Sequence, residues 1–196
     1  MTRSIAVVLF DGAEELDFVG PWEVFTMLSQ IEADSCRVFT VSEHGGEVRC
    51  AKGLRVLAEH SFADCPAAEV VVIPGGRGTR AEVSNPAMMK FVQRMDRGAA
   101  RMTSVCTGSF VLEAAGLLKG KRATTHWGSI ERMKALGTVE VLEQTRFVDE
   151  GHIVTSAGVS AGIDMSLYLV GQLWGVETAR AVQKAMEYFP EPPYGR

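Results

Sequence analysis

The sequence predicts an α/β fold of the doubly wound type, a sandwich with a mostly parallel central sheet and helices on both faces. Short, almost wholly apolar runs alternate along the chain with longer amphipathic runs, as in successive β-α-β units. The apolar runs lack a strict apolar–polar alternation, which indicates strands buried on both faces. A length of 196 residues, with 46% hydrophobic and 22% charged residues, fits one domain spanning residues 1–196.

The first half of the chain supplies most of the predicted sheet. Strands are predicted at residues 4–10, 37–42, 47–50, 54–58, 69–73 and 102–105. Glycines 45 and 46 predict that the third and fourth of these strands form an antiparallel hairpin. The first helix is predicted to begin near Gly20-Pro21, because proline is favoured where a helix needs no N–H. A second helix begins at Asn85-Pro86, with Asn85 as its cap, and ends at Gly98.

The second half contains shorter elements. Apolar residues at helical spacing predict helices over residues 107–115 and 130–136, and two more from residue 159 onward. Short strands are predicted at residues 122–125, 139–142, 146–149 and 152–155. The prolines at positions 190, 192 and 193 exclude a helix at the end of the chain.

Composition excludes several classes of function. The net charge is −4 and the basic residues are scattered, so no nucleic-acid partner is expected. The apolar run at residues 5–10 is too short for a signal peptide and no later run could span a membrane, which predicts a cytoplasmic protein without a membrane partner. The four cysteines form no C-x-x-C pair and are expected to be free thiols.

No metal or cofactor is expected. The His, Cys and Asp residues show no metal-ligand spacing. Residues 76–81 match the dinucleotide pattern G-x-G-x-x-A, but they do not follow the first strand of the chain. The acidic residue at the expected distance, Asp96, ends a helix rather than a strand, so the match is discounted.

Cys106 is the strongest candidate for chemistry. The stretch R-M-T-S-V-C-T-G at residues 101–108 places it where a strand turns into a helix. Unpaired N–H groups and the positive end of the helix dipole lie at such a turn, so the thiol is expected to become a thiolate. The alternative is a buried, inert cysteine.

Other candidates follow neighbouring strands. Ligands bind at the carboxyl ends of strands in a doubly wound sheet, so residues 11–17, 74–78, Cys106 and Thr125-His126 are expected to meet at one cleft. Because Gly75 and Gly76 lack side chains, their N–H groups can approach a substrate and stabilise negative charge together with the Thr107 N–H.

Two acids, Glu15 and Asp17, are predicted to lie in the loop after the first strand. Asp17 is the sharper candidate, since Leu16 and Phe18 are expected to bury it, and a buried carboxyl group can share a proton with a thiolate. Solvated loop charges are the alternative for both acids. His126 is an alternative partner for Cys106, or a wall of the cleft.

Six segments carry a resemblance to a known family: residues 16–21, 73–76, 104–109, 122–127, 161–164 and 187–194. They resemble the ThiJ/PfpI superfamily and, within it, the isocyanide hydratases. The resemblance implies a flavodoxin-like sandwich that is usually dimeric, so a homodimer is expected. The same segments resemble the amidotransferase-like sensor domains of AraC-type regulators. Those regulators carry a C-terminal helix-turn-helix domain, which is not predicted within these 196 residues.

The resemblance also implies roles. Superfamily peptidases usually place histidine directly after the cysteine, whereas Thr107 stands here, which argues against a Cys-His-acid triad. The isocyanide hydratase pattern implies Cys106 as nucleophile, Asp17 as its proton-exchanging partner and Thr107 in support. A small isocyanide would then become an N-substituted formamide through a thioimidate. Two alternatives stay open: a sensing or redox-responsive domain, and an enzyme acting on glyoxals or glycated thiols.

Overall fold

The computed structural model describes residues 2–194 and has the α/β architecture that the sequence predicts. Its strands are β1 (Arg3–Val8), β2 (Cys36–Ser42), β3 (Gly46–Arg49), β4 (Arg55–Ala58), β5 (His60–Ser61), β6 (Val70–Ile73), β7 (Arg101–Val105), β8 (Arg122–Ala123), β9 (Glu140–Val141), β10 (Phe147–Glu150) and β11 (Ile153–Ser156). Its helices are α1 (Glu15–Ile31), α2 (Thr79–Glu82), α3 (Pro86–Asp96), α4 (Ser109–Ala114), α5 (Ile130–Lys134), α6 (Ala161–Leu173) and α7 (Val176–Ala185).

The central sheet has seven strands in the order β10-β11-β7-β6-β1-β2-β5. Neighbouring strands run parallel except for β10, which pairs antiparallel with β11. The predicted hairpin is present as the antiparallel pair β3–β4 outside this sheet. The two-residue edge strand β5 was not predicted, because two residues show no periodicity to read.

The core lies where β1 and β6 cross the middle of the sheet. All four residues of β6 are buried, as are the last four of β1, so these strands are covered on both faces. Helix α1 packs against α6 and α7, and α4 contacts α2 and α3. No helix among residues 2–194 combines the length and apolar character that crossing a membrane requires.

Helix α1 begins earlier than predicted. Its first residue is Glu15 and Pro21 lies inside it, so the prediction of proline at the first helical position is wrong. Proline in a helix interior removes one backbone hydrogen bond. The first turn forms nevertheless, because the Glu14 N–H donates to the Gly75 carbonyl at 2.9 Å and Phe18 is buried.

The segment expected as a strand at residues 122–125 does not belong to the central sheet. Only Arg122 and Ala123 are extended, and they pair with β9 in a separate two-stranded sheet. The Thr124 N–H instead donates to the Thr155 hydroxyl at 2.9 Å, which attaches this segment beside the end of β11. Thr125-His126 therefore reaches the predicted edge of the sheet without being the end of one of its strands.

Candidate active site

Cys106 occupies a strained turn at the end of β7. Its φ is +57°, a left-handed conformation that non-glycine residues rarely adopt, and it opens a short 3-10 turn that leads into α4. The Cys106 N–H donates to the Ala157 carbonyl at 3.1 Å. Its carbonyl accepts the hydroxyls of Ser109 at 3.1 Å and Thr125 at 3.0 Å. These bonds hold the turn in place and direct the thiol toward the cleft.

Asp17 lies fully buried in the first turn of α1 beside that thiol. It shares the inward face of the helix with Val24, seven residues further on, and with Leu28, four residues after Val24, whereas Leu16 is exposed. The prediction that Asp17 is buried is confirmed, but the prediction that it lies in a loop is wrong. A position on the inner face of a helix fixes the carboxyl group more tightly than a loop would.

The two oxygens of the Asp17 carboxyl group differ in their hydrogen bonding. Oδ2 accepts the Gly75 N–H at 2.8 Å. Oδ1 is buried and accepts no hydrogen bond from residues 2–194. The Cys106 thiol contacts this carboxyl group and stabilises its charged form. An unsatisfied buried oxygen beside a thiol is suited to receive and return a proton.

Burial sets the proton affinity of both groups. It raises the pKa of Asp17 from 3.8 to about 7, although the Gly75 N–H, the Cys106 thiol and the Val159 N–H each lower this pKa. Burial, and then the charge of Asp17, raise the pKa of Cys106 from 9.0 to about 12, against the N–H groups of Thr107 and Val159. The expectation of a ready-formed thiolate is therefore wrong, because desolvation exceeds the effect of the turn. Above neutral pH the pair retains one proton.

Thr107 fastens the Gly75–Gly76 loop to the turn. Its Oγ1 accepts the Gly76 N–H at 3.0 Å and the Thr79 hydroxyl at 3.2 Å. A Cβ atom at Gly75 would lie only 2.5 Å from the Thr107 nitrogen, so glycine is required there. The Gly75 and Gly76 amides are thus engaged with Asp17 and Thr107, which contradicts the prediction that they are free to stabilise charge on a substrate.

Val159 is a site residue that the sequence did not reveal. It follows β11, has a φ of +51°, and its backbone N–H lowers the pKa of both Cys106 and Asp17. The N–H groups of Val159 and Thr107 are the two backbone donors that lower the pKa of the Cys106 thiol. The available signal was the stretch S-A-G-V-S-A-G at residues 156–162, directly after a predicted strand.

Glu15 points away from the thiol. Its Oε1 accepts the backbone N–H of Lys52 at 2.7 Å. Burial, and then the charge of Glu15, raises the pKa of the Cys50 thiol, so Glu15 lies near Cys50. The neighbouring Glu14 lines the cleft instead. The prediction of Glu15 as a cleft residue is wrong by one position, because the start of α1 sets which of the two acids faces inward.

His126 lines the cleft as a wall. Its Nδ1 accepts the Gly128 N–H at 3.1 Å, and its ring lies against Gly158, where a Cβ atom would clash at close range. No hydrogen bond joins His126 to Cys106 within residues 2–194. Of the two partners considered for the thiol, the structure places Asp17 in contact with it and uses His126 to shape the cavity.

The cleft above Cys106 has a volume of about 250 Å³, and Thr107, His126 and Val159 contribute to its lining. A larger cavity of about 630 Å³ shares His126 and Val159 with it but is not lined by the thiol. Across the described part of the chain, no three His, Cys, Asp or Glu side chains converge as metal ligands. The smaller cleft is therefore the candidate active site, built around the Cys106–Asp17 pair.

Comparison with known proteins shows the family to which the chain belongs. A sequence model of the protein family described as the DJ-1/PfpI family matches residues 3–172. The chain is 38% identical over 194 residues to an isonitrile hydratase of Pseudomonas putida, covering 99% of this chain and 82% of that protein. It is 29% identical to the HTH-type transcriptional regulator CdhR of Pseudomonas aeruginosa, over 94% of this chain but only 54% of the regulator.

Solved structures similar to this chain include a ThiJ/PfpI family protein from Pseudomonas syringae. Its TM-score is 0.90 and its sequence identity 32%, and the match covers 99% of this chain and 78% of that one. Drosophila melanogaster DJ-1beta has a TM-score of 0.84 at 23% identity, covering 97% of this chain and 100% of that one, a likeness in fold.

Proposed function

The chain belongs to the DJ-1/PfpI family, and on that premise we propose that it hydrates isocyanides to N-substituted formamides through a covalent intermediate on Cys106. The buried Cys106–Asp17 pair, with one carboxylate oxygen unsatisfied, is the observation that carries the proposal. The similarity to an isonitrile hydratase supports the substrate class. An isonitrile carbon needs both a soft nucleophile and a proton, and a thiol beside a carboxylate provides both.

The first step forms a carbon–sulfur bond. Asp17 accepts the thiol proton while the sulfur attacks the terminal carbon of the isocyanide, and the same carbon receives that proton from Asp17. The product is a thioimidate in which carbon holds one hydrogen, the Cys106 sulfur and the substituted nitrogen. The N–H groups of Thr107 and Val159, directed at the sulfur, stabilise the charge that develops on it during the transfer.

The second step breaks that bond with water. Asp17, again a carboxylate, takes a proton from a water molecule while the water oxygen attacks the thioimidate carbon, and Asp17 passes that proton to the nitrogen. As the carbonyl forms, the carbon–sulfur bond breaks, the formamide leaves, and the remaining proton returns to the Cys106–Asp17 pair. The complete cycle consumes one water per isocyanide and restores the thiol.

Turnover of phenyl isocyanide tests the proposal, with formamide measured by chromatography and mass spectrometry in water labelled with oxygen-18. We expect labelled N-phenylformamide from the wild type and none above background from Cys106→Ala. Cys65→Ala is the matched control, since Cys65 is a half-buried thiol in a different cavity. Absence of turnover in the wild type, or equal turnover in Cys106→Ala, would rule the proposal out.

A sensing domain is the second candidate, favoured by the 29% identity to a transcriptional regulator. In that case the cleft binds its ligand without turnover and Cys106 is the oxidisable group. The raised pKa of Cys106 weakens the redox form of this candidate, because the thiolate is the species that oxidises. Mass spectrometry after mild peroxide treatment distinguishes the two: a sensor forms a stable Cys106 oxide together with a change in oligomeric state.

A further inference from the structure

We propose that the isocyanides taken by this chain carry a carboxylate, which Arg77, Arg80 and Arg132 bind at the mouth of the Cys106 cleft. The inference rests on the proposed function and specifies its substrate class. All three arginines line the same cavity of about 250 Å³ as the nucleophile. Guanidinium groups present a planar fork of donors that matches a carboxylate.

These arginines have no anionic partner in the structure. Within residues 2–194, none of the three forms an ion pair with a carboxylate, whereas Arg3, Arg122 and Arg146 each do. The acid lining the cleft, Glu14, is already paired with Lys52. The cavity thus contains three uncompensated positive charges in a protein whose net charge is −4. Such a local reversal of sign attracts an anion.

The arginines stand on elements that belong to the site. The Arg132 guanidinium lies 4.3 Å from the centre of the buried Phe110 ring, in the helix that follows the Cys106 turn. The Arg77 stem packs against Gly12, where a Cβ atom would lie 3.1 Å from its Cγ. Arg80 follows Thr79, whose hydroxyl donates to the Gly76 carbonyl at 2.7 Å. Arg77 and Arg80 therefore belong to the segment that follows the Gly75–Gly76 loop, and Arg132 contacts the helix after Cys106.

A neutral isocyanide would leave the positive charges of the three arginines without an anionic partner. The chemistry at Cys106 needs a thiol, a carboxylate and water, and none of its steps calls for three positive charges around the opening. A carboxylate on the substituent would neutralise them and orient the isocyanide carbon inward, toward the sulfur. Because the arginine side chains are solvent-exposed, we expect a discrimination of about tenfold rather than several orders of magnitude.

The first test compares 4-isocyanobenzoate with its methyl ester, two substrates of similar size that differ in charge. We expect kcat/KM to be about tenfold higher for the carboxylate, with the advantage falling as salt is added. The variant Arg77→Gln/Arg80→Gln/Arg132→Gln is expected to lose the advantage. Arg97→Gln, an exposed arginine at the end of α3 outside the cleft, is the control and should retain it. A ratio near one, or a ratio unchanged in the triple variant, overturns the inference.

The second test does not depend on isocyanide turnover. Iodoacetate and iodoacetamide alkylate thiols at similar size but carry different charge, and the modification of Cys106 is followed by peptide mass spectrometry. We expect the iodoacetate-to-iodoacetamide rate ratio to fall about tenfold in the triple variant and to stay constant in Arg97→Gln. If neither isocyanide is turned over while this ratio falls, the proposed function fails and the anion site stands. A ratio equal in the wild type and the triple variant contradicts the anion site itself.

Discussion

Replacing Asp17 with asparagine is expected to stabilise the fold at alkaline pH while abolishing hydration. The carboxyl group is fully buried, and only one of its oxygens has a hydrogen-bond donor of ordinary geometry, the Gly75 N–H. Asparagine has the same shape and its carbonyl oxygen can accept the same bond. It carries no charge, so the cost of burying a carboxylate disappears together with the proton acceptor that Cys106 needs.

The size of the effect follows from the pKa of Asp17. A shift from 3.8 to about 7 corresponds to roughly 1.4 kcal/mol per unit, or about 4 kcal/mol in all. Because the folded-state pKa is raised, the folded protein binds the proton more tightly than the unfolded chain. The associated stability is fully present below pH 3.8 and is lost as the pH rises through about 7. Asparagine has no such titration, so its advantage over aspartate should grow over that interval.

Urea unfolding of the wild type and Asp17→Asn at about pH 4, 6 and 8 measures this difference. We expect the free energy of unfolding of the variant, relative to the wild type, to rise by up to about 4 kcal/mol between about pH 4 and pH 8. Asp34→Asn is the control, because Asp34 is exposed and asparagine suits its φ of +60°. A wild-type-to-variant difference that does not change with pH would refute the burial of an uncharged Asp17 carboxyl group.

Further outcomes follow from the same geometry. The kcat/KM for isocyanides should rise with pH through an apparent pKa of about 7 and reach a plateau, because Asp17 must be ionised to take the thiol proton; a falling profile contradicts this role. Gly75→Ala should lower activity at least about tenfold and destabilise the fold by about 1–3 kcal/mol, as formamide assays and urea unfolding can measure. Gly98→Ala is the control and should change neither quantity, because the space around Gly98 is open. Thr107→Val should cost about 1–3 kcal/mol by leaving the Gly76 N–H unpaired, and Thr107→Ser should restore most of it, as thermal unfolding can show.

Local patterns in the sequence were enough to predict the fold and the turn on which Cys106 lies. The apolar run of β6 and the glycine-rich loop after it are contiguous, so their periodicity is visible in a single stretch. The turn at Cys106 was predicted for the same reason, since strand, cysteine and helix occupy neighbouring residues. The helical spacing of Asp17 to Val24 and Leu28 was also visible, but Pro21 obscured the true start of α1.

Predictions that depended on pairing between distant segments were less successful. The residues at 122–125 have strand-like composition, yet they pair with β9 instead of the central sheet. The Gly75 and Gly76 amides were expected to face a substrate, but their acceptors, Asp17 and Thr107, come from elements far away in the sequence. No local pattern states which acceptor a backbone N–H will find.

The sequence by itself determined an α/β sheet, a cysteine at a strand-to-helix turn and the burial of Asp17 near the start of the first helix. Only the tertiary structure decided which protons these groups hold. The pKa values of Asp17 and Cys106 depend on desolvation, on each other's charge and on the Val159 N–H, groups from three separate segments. Electrostatic energies depend on distance in space and on exclusion of water, so the protonation of this pair became defined only when the chain closed around it.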